Sequence, residues 1–187
     1  MKKIVLTISV ILGVSMFCSA CSSINSEEYS KMEPKLDLRE YFTGPIKAHG
    51  IMQDWRGRVV ERFDIDMYGE WNGDKGTLKE DFYYYDGTKN SQRVWHISKT
   101  GENTYIGEAS DIIGKAKGES KGNSIRWAYS MLLPPDTQKY SVKFDDWMWL
   151  MNNGVLMNRS YLTKFGLPVG QVTVIMQKIE TNKNDKK

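Results

Sequence analysis

The chain has 187 residues, with 26 Lys and Arg against 23 Asp and Glu, and 40% of its side chains are apolar, enough for one domain with a sizeable core. A formal net charge of +3 excludes the strongly basic surface of a nucleic-acid binder. Both cysteines fall within the first 21 residues, so the body of the chain has neither a disulfide nor a thiolate metal site.

In chain order, Met1-Lys2-Lys3 followed by IVLTISVILGVSMFCSA is a basic start ahead of an apolar run that ends in small residues. That is the pattern of a secretory signal peptide over 1–20. Ser9, Gly13 and Ser15 interrupt the run and no basic flank follows it, which argues against a permanent membrane span. The sequence CSAC at 18–21 resembles a bacterial lipoprotein lipobox, with Cys18 at the position usually filled by Leu. The resemblance implies that Cys21 is lipidated and becomes the new N-terminus; the alternative is an ordinary cleaved signal that leaves a free thiol. Ser22 after the cysteine implies sorting to the outer membrane, at its periplasmic face.

Loss of residues 1–20 removes Lys2 and Lys3 and leaves 167 residues with 24 basic and 23 acidic side chains. The expected partner is then the membrane, through the acyl chains, and neither nucleic acid nor an anionic surface. Residues 21–35 read as a polar tether, although KMEPKLDLREYF could hold a short helical turn or cover one end of the body. A single domain is expected over 36–180, followed by a polar tail at 181–187.

Within that domain, short segments of alternating polarity are separated by turn residues. RVVERFDIDMYGEW sets Phe63, Ile65 and Met67 against Arg62, Asp64 and Asp66; NGDKG then turns the chain into TLKEDFYYY. DGTKN and TGEN mark further turns, with SQRVWHISK and TYIGEAS after them. IIGKAKGES, SIRWAYSMLL, YSVKFDDWMWLM, VLMNRSYLTKF and GQVTVIMQKI continue the series, and GPIKAHGIMQD precedes it. Short links between amphipathic segments predict an all-β, antiparallel, up-and-down sheet of roughly 8–10 strands, which hides its edges most completely as a closed barrel.

One hairpin departs from the half-polar pattern. WMWLM and VLM flank an Asn-Gly turn and leave almost no polar position on either face, so both faces must meet something apolar. Met148 and Leu150 share a face with Asp146, opposite Trp147, Trp149 and Met151. Met157, Arg159 and Tyr161 alternate with Leu156, Asn158, Ser160 and Leu162. Three readings are open: a packed core whose outer face is covered by the N-terminal segment or a helix, an adaptable Met- and aromatic-lined cavity, and an exposed patch for lipid or a partner. With Met157, Arg159 and Tyr161 on the inner face, Arg159 either closes the barrel under Trp127 or receives the acid group of an amphiphile, with Arg126, Trp127, Tyr129 and Met148 beside it. Glu80, Glu108 and Asp146 are candidate carboxylate partners for that arginine.

The lipobox leader, GRVVERFDIDMYGEW and the ending FDDWMWLMNNGVLMNRSYLTKFGLPVGQVTVIMQK resemble a proteobacterial lipoprotein family of unknown function. The family looks lipocalin-like, so the resemblance implies a calycin-type barrel with an apolar calyx and no assigned activity. The only Gly-x-Trp triplet of the lipocalin kind, Gly69-Glu70-Trp71, ends the second strand where the first is usual, so only the architecture carries over.

Signals for catalysis are weak. His49 and His96 lack zinc-binding spacing, and no nucleophile elbow, phosphate loop or dinucleotide fingerprint is present. Asp64 and Asp66 project to the wet face, and Asp145 and Asp146 to opposite faces. The expectation is therefore a barrel without catalytic residues, metal or cofactor, anchored at Cys21 and binding a fatty acid such as palmitate or another lipid-like molecule. Two rivals stand beside it: a structural or assembly lipoprotein with a packed barrel and a protein partner, and a cofactor-free enzyme acting on an apolar substrate.

Overall fold

Burial alternates residue by residue along the strands, as in β2 (Val59–Asn72), where Phe63, Ile65, Met67 and Gly69 point inward. The structure is a computed structural model that describes residues 24–87, 90–133 and 140–180. The expected signal peptide, Cys21 and the tail at 181–187 lie outside the described residues. The other strands are β1 (Gly44–Asp54), β3 (Lys75–Tyr84), β4 (Asn90–Lys99), β5 (Thr104–Glu108), β6 (Ile112–Lys121), β7 (Ser124–Leu133), β8 (Tyr140–Leu150), β9 (Leu156–Lys164) and β10 (Leu167–Lys178). Each pairs antiparallel with its chain neighbours, and β1 pairs with β10 to close the sheet. The expected all-β, up-and-down closed barrel is thus what forms, with ten strands.

Because every strand reverses direction, the turns fall into two sets. β2–β3, β4–β5, β6–β7 and β8–β9 turn at one end, while the described turns β1–β2, β5–β6 and β9–β10 lie at the other. The first end is closed by a plug. Asp37 caps a single helical turn, α1 (Leu38–Tyr41), by accepting from the Glu40 N–H at 2.9 Å, and Leu38, Tyr41 and Phe42 are buried. The Tyr41 hydroxyl donates to the Met176 carbonyl at 2.9 Å.

Gly69 and Trp71 clamp the end of this plug. The Trp71 indole N–H donates to the Phe42 carbonyl at 3.2 Å, and a Cβ at position 69 would collide with that same oxygen. Only glycine allows so close an approach. The triplet that looked displaced in the sequence therefore serves the closed end.

Residues ahead of the plug are docked, where the sequence suggested a tether. The 3-10 turn Ser26–Tyr29 lies against the outside of the barrel, with the Tyr29 ring 5.7 Å from Trp147 and 6.1 Å from Trp149. The Leu36 N–H donates to the Gly122 carbonyl at 2.8 Å, and Ser120 Oγ donates to the Leu36 carbonyl at 3.1 Å. The physical reason is the pair of tryptophans, which stack at 6.0 Å on the outer wall and need cover. Trp147 is 0% exposed as a result.

Candidate functional site

The barrel is filled at the closed end and hollow above it. A cavity of about 220 Å³ has Leu38 and Phe42 as its floor and Phe63, Trp127, Met148 and Val174 in its wall. Met52, Glu61 and Tyr84 line it toward the opposite end. That volume lies between the ~150 Å³ of a cavity that accepts benzene and the roughly 300–1,000 Å³ of drug-sized sites, which suits one slender apolar chain.

The wall of the cavity carries a polar cluster. Arg93 holds Asp111 through Nε at 2.9 Å and Nη2 at 2.7 Å, and its Nη1 lies 3.6 Å from Glu80 Oε2. Its guanidinium also lies over Phe82, 5.3 Å from the ring centre. Burial of Arg93 is outweighed by the pull of Glu80 and Asp111, so it stays charged. Across the lumen, Asp146 accepts from Ser160 Oγ at 2.9 Å, from Tyr129 Oη at 3.2 Å and from Asn158 Nδ2.

Burial sets the protonation of these groups. It pushes the Glu80 carboxyl up to about 7, with the Arg93 charge and a Trp95 hydrogen bond pulling the other way. Burial raises Asp146 too, and the donors Ser160, Asn158 and Tyr129 limit the rise. Tyr129 is held well above its ordinary range by burial and by Asp146. Glu80 Oε2 is buried without a hydrogen-bond donor among the described residues. The Glu80 side chain borders the lumen beside apolar wall, and its carboxyl is the polar group there whose protonation burial favours.

Of the residues singled out in the sequence, Trp127, Tyr129 and Met148 line the cavity. Met157, Arg159 and Tyr161 do not, which corrects the face assigned to them. Arg159 stands opposite Trp147 and Met157 opposite Trp149, and directly opposed residues of an antiparallel pair share a face. Both tryptophans face outward, so Met157 and Tyr161 are 37% and 36% exposed and Arg159 is exposed. The inner positions of β9 are Leu156, Asn158, Ser160 and Leu162, because buried Asp146 needs donors opposite and diagonal to it. Arg126 is also outside, where it donates to Asp145 at 2.6 Å and lies over Trp147.

Sequence reasoning missed Arg93 altogether, and took Glu80 and Asp146 only as possible partners of Arg159. A signal existed: Arg93 shares its strand face with Trp95 and Ile97, and Glu80 shares its own with Leu78 and Phe82. His49 pairs with Asp64 at 2.6 Å on the outer wall, and Glu108 pairs with Lys115 at 2.6 Å. Among the described residues no group of three His, Cys, Asp or Glu is placed to hold a metal ion.

No curated protein matches the chain. A family model does, over residues 15–178, which takes in the whole barrel with its plug and outer strap. The chain belongs to that family, DUF3833, a family of proteins of unknown function.

Proposed function

We propose that this protein is a lipid-anchored, non-enzymatic binding protein at the periplasmic face of the outer membrane, holding one lipid-like molecule in the barrel lumen. The observation that carries the reading is the cavity between the plug and the open end, walled by Phe63, Trp127, Met148 and Val174. Aromatic rings and thioethers give such a cavity apolar surface without demanding one ligand shape. The lipobox-like CSAC supports the anchor.

The polar cluster narrows the ligand. Arg93 is already engaged by Asp111 and approached by Glu80, and Glu61 and Asp146 add further carboxyl groups to the lumen wall. A free carboxylate would enter beside those groups, and among the described residues that line the lumen the only cation is the engaged Arg93. An uncharged head such as an alcohol or amide can instead hydrogen-bond to the Glu80 carboxyl where it borders the lumen, in either protonation state. The ligand class that fits best is thus a chain with an uncharged polar end, ahead of a fatty acid.

The test is competition between dodecanol and dodecanoate for residues 22–187, followed by native mass spectrometry without detergent. The expected spectrum shows one dodecanol bound and little dodecanoate. If neither binds, the lumen reading falls; a preference for dodecanoate would overturn the assignment of the head group. For the anchor, Cys21→Ser should abolish labelling by a fatty-acid analogue, and equal labelling of that variant would remove the lipoprotein assignment.

One observation favours the enzyme rival, namely Glu80 poised near neutral pH inside an apolar lumen, where it could exchange a proton with a guest. Recovery of the bound molecule at unchanged mass and stereochemistry supports binding alone; its conversion, lost in Glu80→Gln, supports catalysis.

A further inference from the structure

The rim of the open end carries large apolar side chains where loop tips are normally polar. Trp55 is 66% exposed, Phe165 94% and Leu167 68%, while Val59 and Val60 are 51% and 55% exposed. All lie in or beside the β1–β2 and β9–β10 turns. These hairpins are neighbours on the rim because β1 pairs with β10 up to Asp54 opposite Gly170. Single exposed apolar residues need no explanation, but a cluster at the mouth of a cavity does.

Both turns hold their apolar residue outward by specific means. In the first, the Asp54 carboxylate accepts from the N–H groups of Arg56 and Arg58 at 2.9 and 3.0 Å and from Arg58 Nε at 2.8 Å. Gly57 takes a φ of 80°. That frame leaves Trp55 at the tip, with the Arg56 guanidinium 4.5 Å from its ring centre. In the second, Phe165 has a φ of 52° and Gly166 a φ of 79°, the left-handed pair that hairpin turns usually fill with Asn-Gly. A bulky aromatic at such a position is strained, and it is also the most exposed large apolar side chain described. Folding and solubility would both favour asparagine there, so another selective reason is needed.

We infer that this rim is a docking surface for a phospholipid bilayer, through which Trp55, Phe165 and Leu167 enter the interfacial layer and set the mouth of the cavity against lipid. Residues 54–58 and 164–167 carry Arg56, Arg58 and Lys164 against the single carboxylate Asp54, a local positive balance in a chain that is nearly neutral without its leader. Lys164 lies 5.5 Å from the Phe165 ring centre, so each of the two aromatic tips has a cation beside it. Aromatic tips with adjacent cations match the chemistry of a membrane interface, where rings settle at head-group level and long cationic side chains reach lipid phosphates. The strap and plug bring the first described residues to the closed end, so the rim faces away from a bilayer that holds an acylated Cys21, and the bilayer it docks on is a second, apposed one.

This inference does not depend on a ligand in the lumen, and its test is separate. Residues 22–187, which contain the barrel with its plug and strap, are floated with vesicles of phosphatidylethanolamine and phosphatidylglycerol at about three to one. Wild type is expected to float. Phe165→Asn, which relieves the turn, should unfold at higher urea than wild type yet lose about tenfold in vesicle binding. Ile179→Asn, an equally drastic change of an exposed apolar residue at the closed end, should float like wild type. The proposal is overturned if wild type stays in solution, or if Phe165→Asn floats equally well. It is also overturned if Phe165→Asn merely converts a dimer to a monomer in sedimentation without any vesicle binding by wild type, since the rim would then join two copies of the chain.

Discussion

Leu156 and Leu162 lie on the same strand and the same inner face, one near each end of the barrel, and they meet different surroundings. Leu156 is fully buried in the cluster that includes Ile46, Ala48 and Ile125, and it does not border the cavity. Leu162 is buried with Met131, Val142 and Phe144, and it does border the cavity. The closed end behaves as an ordinary core around a plug; the open end combines unfilled space, a polar cluster and an apolar rim. Packing that stabilises the fold is thus concentrated away from the cavity, the polar cluster and the apolar rim.

The largest effect should come from the polar cluster. Arg93→Met removes the only cation facing Glu80 and Asp111 in the described cluster; the pair with Asp111 is partly exposed, so the expected loss is at the low end for a buried pair, about 3 kcal/mol in urea unfolding. A loss under about 1 kcal/mol would mean that water reaches these groups freely. Next comes the leucine comparison. Leu156→Ala should cost about 2–5 kcal/mol, whereas Leu162→Ala, whose side chain already borders empty space, should fall at or below the low end of that range. Equal costs would erase the distinction between the two ends.

A smaller effect is expected from pH. Glu80 titrates at about 7 in the folded chain against an ordinary 4.5, so the native state holds its proton more tightly. The resulting stabilisation is complete below pH 4.5 and is lost as pH rises toward 7, and the raised Asp146 acts in the same sense. Arg93, Asp111, Asp146 and Tyr129 are the charged or titratable groups around it. Wild type should lose about 1–3 kcal/mol between pH 5 and pH 8 from this source, and Glu80→Gln should flatten most of that slope. An unchanged slope in the variant would assign the pH dependence elsewhere. The smallest effect belongs to the outer face of β9, where Met157→Ala and Arg159→Met should each shift stability by no more than about 0.5 kcal/mol and leave guest binding as it was.

Sequence alone disclosed the barrel because local alternation such as Phe63-Asp64-Ile65-Asp66-Met67 and the turn residues between segments are near-neighbour signals. The facing of β9 was not legible in that way. Both of its faces carry apolar and polar residues, and the choice between them depends on the pairing of Met148 with Asn158 and on the donors that Asp146 requires. Trp127 and Tyr129 were found because their strand alternates cleanly, and Met148 because it shares a face with Asp146. Arg93 was passed over because a strand that begins Ser91-Gln92-Arg93 reads as solvated until Trp95 and Ile97 are seen to fix its face. Cover of the outer tryptophans by the N-terminal segment was among the readings that the two-sided apolar hairpin left open, but the contact that makes it, Tyr29 on Trp147, joins distant parts of the chain and no local pattern names it.

Methionine methyl resonances give the most direct test of a guest-holding lumen, because the chain places methionines on both sides of its wall. Met52, Met67, Met131, Met148 and Met176 line the cavity, whereas Met151 and Met157 are exposed outside it. In residues 22–187 carrying labelled methionine, titration with dodecanol should shift the lumen methyls saturably and together, and leave Met151 and Met157 in place. Shifts confined to the exposed methyls, or no saturable shift at any lumen methyl, would contradict the account.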